Sequence, residues 1–378
     1  MTHSTAAHAA EQASLSVSEA DERLRIGVDM SILRRPPSGS ARWARGLYRA
    51  LGTYAPRLTL LPWGGSARIE WGGPLRKGLN LARDRFWYDL AIPLRSRQQN
   101  ADALLMPVNL TARLGAPPQV VTIHDVNFLS APGTYDPGYT RYISWAIRRA
   151  LASAAAVTTV SHHSRAELVR WFGADSSRVE VIHPGLDPVR PGAADRSPLD
   201  EPYALFVGPI EPHKNVPLIL RAWAEPELSR ALRLVIVGPP GRDHARVLEL
   251  AQSLRPAAVV TGTVDRVALD RWYRWASLFL FPSQSEGFGF PPLEAMQHGV
   301  PVIAARAGSL PEVLGDAALF HEPTDVESLI EAVKTALGDA ALRSTLIARG
   351  HERVTVYRWE DTAAAMAAVL ARVAGQAS

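Results

Sequence analysis

Cysteine is absent from the 378-residue sequence, which excludes disulfides, thiolate metal sites and a cysteine nucleophile. No apolar run approaches the roughly 18 residues that a membrane-spanning helix needs, so the sequence predicts no transmembrane segment. Residues 1–23 lack the basic start and apolar core of a signal peptide, and they predict a disordered leader. Together these absences favour a cytoplasmic protein.

Several signatures of nucleotide and metal chemistry are also missing. The sequence has no GxxxxGK loop followed by Ser or Thr, no GxSxG and no HExxH. The dinucleotide fingerprint fails because Pro292 stands where a third glycine should follow Gly287 and Gly289. No Asp-x-Asp pair occurs, which is the usual carboxylate pair for a metal–nucleotide complex. We therefore expect no structural metal and no requirement for Mg²⁺ or Mn²⁺.

Lysine is scarce, with only Lys77, Lys214 and Lys334 among 41 basic residues. The formal net charge of +4 is too small to predict nucleic acid binding. The charge is uneven, since residues 24–195 contain 22 basic and 12 acidic residues, a net charge of +10. The densest part, Trp63–Arg97, mixes aromatic and basic residues. This mixture suits an anionic membrane or acceptor, and equally an ordinary helix with buried aromatic side chains.

Apolar segments of strand length alternate with helical patterns, which indicates parallel sheets covered by helices on both faces. The proline-rich residues 188–202 form the best linker. We therefore expect an α/β protein with two facing Rossmann-like domains, 24–187 and 203–356, and a cleft between them. A final helix in 357–378 either packs at the end of the second domain or crosses back to the first. The predicted strands are Arg25–Asp29, Val120–Ile123, Ala156–Val160, Val179–Ile182, Tyr203–Val207, Leu232–Val237, Ala258–Thr261, Leu278–Phe281 and Val300–Ala304.

Ligands of such folds bind beyond the carboxyl ends of the strands, so the loops at those ends carry the candidate site. Gly208 follows the strand Tyr203–Val207 and permits a tight turn. Lys214 and Asn215 stand just before a predicted helix, where a cation beside free helix N–H groups suits a phosphate. A solvated lysine near a turn is the alternative.

The loop after the strand Leu278–Phe281 is the richest in functional residue types. Gly287 and Gly289 leave backbone N–H groups approachable ahead of a helix that starts with proline, which suits an anion or a sugar oxygen. Glu286 and Glu294 would repel a phosphate, but they would accept hydrogen bonds from the hydroxyls of a sugar and a ribose. Either glutamate alone would equally serve a structural role.

Two features of the first half of the chain also follow strands. Gly39 opens a helix after Asp29, and the pair His124-Asp125 ends the strand Val120–Ile123. Such His-Asp pairs are often satisfied turn residues. Their position at the carboxyl end of a strand nevertheless makes them candidates for the site.

Two segments of the second half, Val207–Asn215 (VGPIEPHKN) and Pro282–Val313 (PSQSEGFGFPPLEAMQHGVPVIAARAGSLPEV), resemble the retaining glycosyltransferases of family 4. These enzymes, the glycosyl transferases of group 1, include mannosyltransferases and have the GT-B architecture. Glu286 and Glu294 match the E-x7-E motif of the family. The resemblance covers about residues 25–372, because the first half is similar in the segments Gly27–Leu51, Thr122–Leu129, Val160–Leu168 and Val181–Asp187.

The resemblance implies roles for the candidate residues. Lys214 would contact the diphosphate of a nucleotide-sugar donor, and Glu294 would hold the ribose hydroxyls. Glu286 and the backbone of Phe288–Phe290 would hold the donor hexose, which His124 would approach from the acceptor-binding first domain. The implied catalytic residues are His124, Lys214 and Glu286. The implied donor-binding residues are Gly39, Gly208, His213, Lys214, Asn215, Glu286, Gly287, Phe288, Gly289, Phe290 and Glu294.

Two departures from the family pattern concern positive charge. Many members carry arginine directly after the glycine of the first loop, where this chain has Pro209, and others carry Arg-Lys where it has His213-Lys214. A second fixed cation is therefore missing from both usual places. A protonated His213 or an arginine of the first domain such as Arg42 would replace it, and Gly39 would let the first loop approach the phosphates.

The resemblance implies a retaining, metal-independent transfer of a hexose to a saccharide or a polyprenyl-diphosphate-linked acceptor. Mannose from GDP-mannose is the favoured donor, and the product would be a cell-surface polysaccharide or glycolipid. Peripheral association with the anionic inner face of the plasma membrane would accompany this activity. The alternatives are glycosylation of a soluble metabolite, a GT-B-shaped sugar-nucleotide epimerase, which the E-x7-E motif disfavours, and a non-catalytic sugar-nucleotide-binding protein.

Overall fold

The computed structural model describes residues 23–34, 38–64, 73–113, 115–130, 135–189 and 196–375. The predicted leader, 1–23, lies outside these ranges except for its last residue. The predicted linker, 188–202, is described only at 188–189 and 196–202, where the backbone forms neither helix nor strand. The strands are β1 Leu24–Asp29, β2 Leu58–Trp63, β3 Ala103–Met106, β4 Gln119–Thr122, β5 Ala156–Thr159, β6 Val179–Val181, β7 Tyr203–Val207, β8 Arg233–Val237, β9 Ala258–Gly262, β10 Leu278–Phe281, β11 Val302–Ala305 and β12 Ala318–His321.

The helices within the same ranges occupy most of the chain between the strands. They are α1 Gly39–Tyr54, α2 Gly73–Phe86, α3 Ile92–Gln98, α4 Asn127–Ser130, α5 Pro137–Ser153, α6 His162–Phe172, α7 Val216–Ala222, α8 Pro226–Ala231, α9 His244–Ser253, α10 Arg266–Arg274, α11 Phe290–Gln297, α12 Leu310–Leu314, α13 Val326–Gly338, α14 Ala340–Val354 and α15 Trp359–Gly375. A π-helical turn, Trp87–Ala91, joins α2 to α3.

The strands form two six-stranded sheets whose orders are β2-β1-β3-β4-β5-β6 and β12-β11-β10-β7-β8-β9. Neighbouring strands run parallel, as in β1 with β2 and β7 with β8. Strands β7 and β10 are buried along their whole length, which explains their continuous apolar sequences. The expected α/β class with two Rossmann-like sheets is confirmed.

All nine predicted strands are present, but sequence pattern did not indicate three others, β2, β3 and β12. Strand β2 is half-exposed and contains Pro62, which interrupts an apolar run. A proline is tolerated there because β2 lies at the edge of its sheet, where a missing N–H breaks no ladder on the open side. Strand β3 (ALLM) lacks the β-branched residues that distinguish a strand from a helix.

The chain divides into two compact units that are discontinuous in sequence. The first contains the described residues through Ile123 together with Trp145–Thr158 and the last helix, α15. The second contains His124–Ser144 and Thr159–Arg358.

Helix α15 packs against α1 within the first unit, and a glycine makes this contact possible. A Cβ atom added at Gly46 would lie 2.0 Å from Cζ2 of Trp359, which begins α15. The indole ring therefore occupies the space that any larger residue at position 46 would need. The last helix of the chain thus packs within the first unit.

This contact predicts opposite effects for two glycines of α1. Gly46→Ala should lower the free energy of unfolding by about 1–3 kcal/mol because the new methyl overpacks the indole of Trp359. Gly52→Ala should raise it by about 0.5–1 kcal/mol, since no described atom lies within 4 Å and alanine is the better helix former. Urea unfolding of both variants checks the pair, and a shift in the same direction for both would contradict the packing argument.

Candidate active site

Two strand-end loops of the second unit meet at a buried salt bridge. Lys214 lies in the 3₁₀ turn after β7, and Glu286 follows β10. The Lys214 ammonium donates to Glu286 Oε1 at 2.5 Å, and each side chain is only 10% exposed. The same ammonium lies 5.1 Å from the ring centroid of Phe281. Because an ammonium has three donors, Lys214 retains two for a ligand.

The glycine-containing loop after Glu286 is fixed through its carbonyl groups. Ser309 Oγ donates to the Phe288 carbonyl at 3.1 Å, and Ser164 Oγ lies 3.4 Å from the Gly287 carbonyl. Within the described part of the chain, no acceptor is bonded to the N–H groups of Gly287, Phe288 or Gly289. These unpaired donors form the kind of backbone site that binds an anion or a sugar oxygen.

Helix α11 begins directly after this loop, but its first turn offers fewer free N–H donors than a helix N-terminus usually does. Pro291 and Pro292 occupy the first turn and have no N–H to offer. Gly289 precedes the helix with a φ of 96°, a left-handed conformation that a side chain would strain. The hydrogen-bond donors that this site offers to a ligand are therefore the N–H groups of the loop rather than those of the helix.

The pair His124-Asp125 packs directly against the loop. A Cβ added at Gly287 would lie 2.7 Å from the His124 carbonyl oxygen and 3.0 Å from Asp125 Cβ. The same carbonyl accepts a hydrogen bond from Ser164 Oγ at 2.9 Å. The structure thus brings three of the predicted residues, His124, Glu286 and Gly287, to one place, and only glycine is small enough at position 287.

Asp125 also lies beside the glycine loop, although the sequence analysis assigned it no separate role. Burial raises the pKa of the Asp125 carboxyl above its ordinary value. A hydrogen bond from the Asn127 N–H lowers it, the charge of Glu286 raises it, and the Lys214 ammonium lowers it. One cation and two carboxyl groups therefore interact beside the glycine loop.

Glu294 lies in α11 and is almost fully buried, but both carboxylate oxygens have partners. Arg266 donates from Nη1 to Oε1 at 2.6 Å, and the Tyr273 hydroxyl donates to Oε2 at 3.0 Å. Arg266 also pairs through Nε with Asp270 at 3.0 Å. The second glutamate of the E-x7-E motif is therefore held by two side chains of helix α10, which the sequence did not single out.

The other residues predicted to bind the nucleotide-sugar donor lie in different places. Asn215 has left-handed backbone angles, and its side-chain amide donates to the Pro323 carbonyl at 3.0 Å. Gly208 donates its N–H to the Val237 carbonyl at 2.9 Å, which joins the ends of β7 and β8. Gly39 is in the first unit, where an added Cβ would meet no described atom within 4 Å. The roles of these residues stay predictions.

The structure bears on which residue could supply the second positive charge that the sequence lacks at its two usual places. Burial lowers the pKa of His213, and the neighbouring Lys214 ammonium lowers it further. A neutral imidazole near pH 7 argues against His213 as the missing cation. Arg242, in the loop after β8, lies on the same sheet edge and pairs with Glu211 at 2.7 Å. Its guanidinium also lies 4.7 Å from the ring centroid of Tyr135.

A second polar cluster ties helix α6 to α12. Glu312 accepts hydrogen bonds from the N–H groups of His162 and His163, both at 2.8 Å, and from His183 Nε2 at 3.1 Å. His162, His183 and Glu312 also offer ligand atoms that lie within 4.8 Å of one another, an arrangement that could hold a metal ion. Glu312 accepts two of these hydrogen bonds from the first N–H groups of α6, which explains the cluster as a helix cap.

The segment Trp63–Arg97 differs from the aromatic membrane surface that its composition allows. Trp63, Trp87 and Tyr88 are buried core residues, while Trp71 lies outside the described residues. The exposed apolar side chains are Leu79, Phe86, Leu90 and Leu94, which are between 46% and 61% exposed. We call these four residues the outer helical face. None of the helices in the described ranges has the length and apolarity to cross a bilayer.

Two six-stranded parallel sheets with helices define the GT-B fold class. The solved structure of sucrose-phosphate synthase from Thermosynechococcus elongatus has this fold. It superposes with a TM-score of 0.75 at 21% sequence identity, covering 94% of this chain and 100% of that one.

The chain belongs to glycosyltransferase family 4. Residues 42–190 match Glycosyltransferase Family 4, and residues 193–353 match Glycosyl transferases group 1. The chain is 31% identical over 255 residues to O-antigen chain mannosyltransferase B of Escherichia coli, covering 64% of this chain and 67% of that protein. It is 36% identical over 233 residues to D-inositol 3-phosphate glycosyltransferase 2 of Catenulispora acidiphila, covering 54% of this chain and about half, 53%, of that relative.

The Glu312 cluster predicts a pH-dependent contribution to stability. Burial opposes ionisation of Glu312, but the bonds from His183 and from the N–H groups of His162 and His163 outweigh it and lower the pKa to about 2. A depressed carboxyl pKa stabilises the fold above the unfolded value near 4.5, and this contribution disappears as the pH falls toward 2. Glu312→Gln should therefore lower the urea midpoint at pH 7, by an amount that shrinks below pH 4.5.

A matched variant separates this effect from a general loss of charge. Glu331 is an exposed glutamate of α13 in the same unit. Glu331→Gln should leave the midpoint nearly unchanged at each pH. A Glu312→Gln deficit that stays constant from pH 7 to pH 3 would contradict the cap.

Proposed function

We propose that the protein is a retaining hexosyltransferase that transfers mannose from GDP-mannose, without a metal ion. The acceptor is a saccharide or a polyprenyl-diphosphate-linked saccharide, and the product is a cell-surface polysaccharide or glycolipid. The observation that carries the proposal is the Lys214–Glu286 salt bridge beside the unpaired N–H groups of the glycine loop. The name of the Escherichia coli relative supports mannose and a polysaccharide product.

The proposed chemistry rests on charge stabilisation. Cleavage of the sugar–phosphate bond leaves negative charge on the nucleoside diphosphate, and Lys214 together with the N–H groups of the loop stabilises that charge. These fixed positive groups supply what a metal ion supplies in other transferases, so the proposal includes no metal. The acceptor hydroxyl attacks the anomeric carbon from the face that the diphosphate leaves and passes its proton to the departing phosphate oxygen, so the configuration of the sugar is retained.

Glu286 positions the hexose in this scheme. Through its salt bridge it also compensates the charge of Lys214 before the diphosphate binds. In the structure Glu286 forms a salt bridge with the lysine, and the charge of Lys214 also acts on Asp125. When a diphosphate approaches, two lysine donors turn to it and the carboxylate accepts from a hexose hydroxyl. His124 and Asp125 lie against the same loop. We propose that they border the hexose.

A second candidate function is glycosylation of a soluble metabolite. The D-inositol 3-phosphate glycosyltransferases among the relatives support it, at up to 37% identity over about half of their length. The donor site is the same in both proposals, so the acceptor alone distinguishes them. A non-catalytic nucleotide-binding protein would keep the donor site without turnover.

We further propose that the enzyme works at the inner face of the plasma membrane. The outer helical face places four exposed apolar side chains on one continuous helical segment. Residues 79–98 also carry four arginines against two aspartates. Apolar side chains and net positive charge together are the two signals that hold a protein at an anionic membrane.

The donor site predicts the effect of removing its lysine. After a thermal-shift panel of nucleotide sugars has identified the donor, Lys214→Ala should lower turnover by at least about tenfold to a hundredfold, since the charge-assisted hydrogen bonds to the diphosphate are lost. Lys334→Ala removes a half-exposed lysine paired with Glu227 and should have wild-type turnover. Full activity of Lys214→Ala, with an unchanged melting temperature, would contradict the proposed site. The same assay should give equal rates with EDTA and with added Mg²⁺.

Vesicle flotation tests the outer helical face. The protein should float with vesicles that contain phosphatidylglycerol and much less with phosphatidylcholine alone. Replacing Phe86 and Leu90 by serine should reduce flotation about tenfold or more, because two apolar side chains no longer enter the interface. Serine at Val267 and Trp275, exposed residues of the second unit, is the matched control. Equal flotation of both double variants would remove the helical face as the membrane contact.

A further inference from the structure

The second sheet ends at strand β9, whose outer edge has no partner strand among the described residues. Strand β9 is the last in the order of its sheet, and it pairs with β8 alone. Its other main contact is with helix α9. An open strand edge of this kind offers main-chain donors and acceptors to another extended chain.

The register shows which main-chain groups of β9 face the open edge. The Leu234 N–H donates to the Ala257 carbonyl at 2.8 Å, so position 257 points toward β8. Because the main-chain groups of successive residues alternate between the two sides of a strand, Ala258 and Val260 direct theirs outward. In the described part of the chain no group outside the sheet bonds to them. The register shifts beyond Val260, so the regular edge is short and suits a short added strand.

A cavity of about 280 Å³ lies beside this edge, between the strand and the helix. Its apolar lining includes Leu248 and Ala251 of α9 and Ala258, Val259 and Val260 of β9. Ligand pockets commonly enclose about 300–1,000 Å³. The cavity is therefore of a size for one or two apolar side chains rather than for a large ligand.

The polar side chains that line the cavity all carry N–H donors, and none is a carboxylate. They are Arg233, Gln252 and Arg255. Arg233 is already occupied, because it pairs with Glu201 and donates to the Pro256 carbonyl. Arg255 is exposed, and within the described ranges its guanidinium has no ion pair or hydrogen bond. One uncompensated positive charge is therefore available to an anion.

The direction of an added strand connects the open edge with this arginine. A chain that pairs antiparallel with β9 ends where β9 begins, and Arg255 lies three residues before that point. The terminal carboxylate of such a chain would meet the guanidinium in a charge-assisted hydrogen bond, while its last side chain fills the cavity. A small free acid would leave the strand edge unused, and an internal peptide segment would bring no carboxylate.

We propose that β9 and α9 form a docking groove for the carboxyl-terminal end of an extended peptide with an apolar last residue. The partner is another protein whose chain ends in this way. The groove lies at the amino ends of the strands, whereas Lys214 and Glu286 follow the carboxyl ends of β7 and β10 in the same sheet. Docking therefore tethers the protein to its partner without occupying the candidate active site.

Selection from two synthetic pools of hexapeptides tests the groove. Both pools have random residues at the first five positions and valine, leucine or isoleucine at the last, but one has a free carboxyl group and the other an amide. The immobilised full-length protein should retain peptides of the free-acid pool and none of the amidated pool. Mass spectrometry identifies the retained peptides, which then serve as probes.

A matched pair of arginine variants locates the binding. Fluorescence polarisation with a retained peptide should give a dissociation constant that is about tenfold to a hundredfold higher for Arg255→Met, the loss expected for one hydrogen bond to a charged group. Arg246→Met removes an exposed arginine of the same helix that does not line the cavity, and it should bind as the wild type does.

Methylation of the peptide backbone separates strand pairing from other modes of binding. In an antiparallel pair only alternate residues turn their N–H groups toward the partner strand. N-methyl groups at one set of alternate positions should therefore weaken binding about tenfold or more, and at the intervening positions much less. Equal losses at all positions would rule out the added strand.

The remaining outcomes separate the peptide from other occupants. Retention of no more peptide by the wild type than by Arg255→Met, or equal retention of both pools, would overturn the proposal. N-acetylvaline that binds as tightly as the hexapeptide would make the cavity a site for small acids instead. A dimer in sedimentation velocity that Arg255→Met abolishes, without peptide retention, would make the edge an interface between two copies. Each of these results leaves the proposed transferase activity untouched, because the groove contains none of its residues.

Discussion

The candidate site depends on a salt bridge that lets two opposite charges lie buried between strand-end loops. Lys214 and Glu286 would each be costly to bury alone, because an uncompensated charge loses its hydration. As a pair they hold the loop after β7 against the loop after β10. The bonds of Ser309 and Ser164 to the glycine loop fix the remaining carbonyl groups. The N–H groups are therefore left as preorganised donors, which need no rearrangement when negative charge develops.

Sequence reasoning found the residues of the site that lie close together in the chain. The glycines, Glu286 and Glu294 fall within one loop and the helix after it, so their chemistry could be predicted from their spacing. The partners of Glu294 could not, because Arg266 and Tyr273 lie 28 and 21 residues away on another helix. The Glu312 cluster is still more distant in sequence, since its bonds to His162 and His183 span 150 and 129 residues.

Some features of the fold also could not be predicted from the sequence, because composition identifies only strands that are buried on both faces. Strands with continuous β-branched or aromatic sequences, such as β7 and β8, are identified by composition because both faces are buried. An edge strand such as β2 has a half-exposed pattern that composition does not distinguish from a loop. Composition also does not show which side chains of a segment face the core and which face solvent. Trp87 and Phe86 are neighbours in sequence, yet the first is buried and the second is 61% exposed.

The cations at the strand-end edge of the second unit share one arrangement that bears on specificity. Lys214 pairs with Glu286, Arg242 with Glu211, and Arg266 with Glu294. A free phosphate would meet both members of each pair, so attraction to the cation is largely offset by repulsion from the carboxylate. A nucleotide sugar also brings hydroxyls, which donate to the carboxylates while the diphosphate accepts from the cations. Under the proposed function, paired charges therefore favour the complete donor over its anionic fragment, because only the complete donor gives each member of a pair a partner.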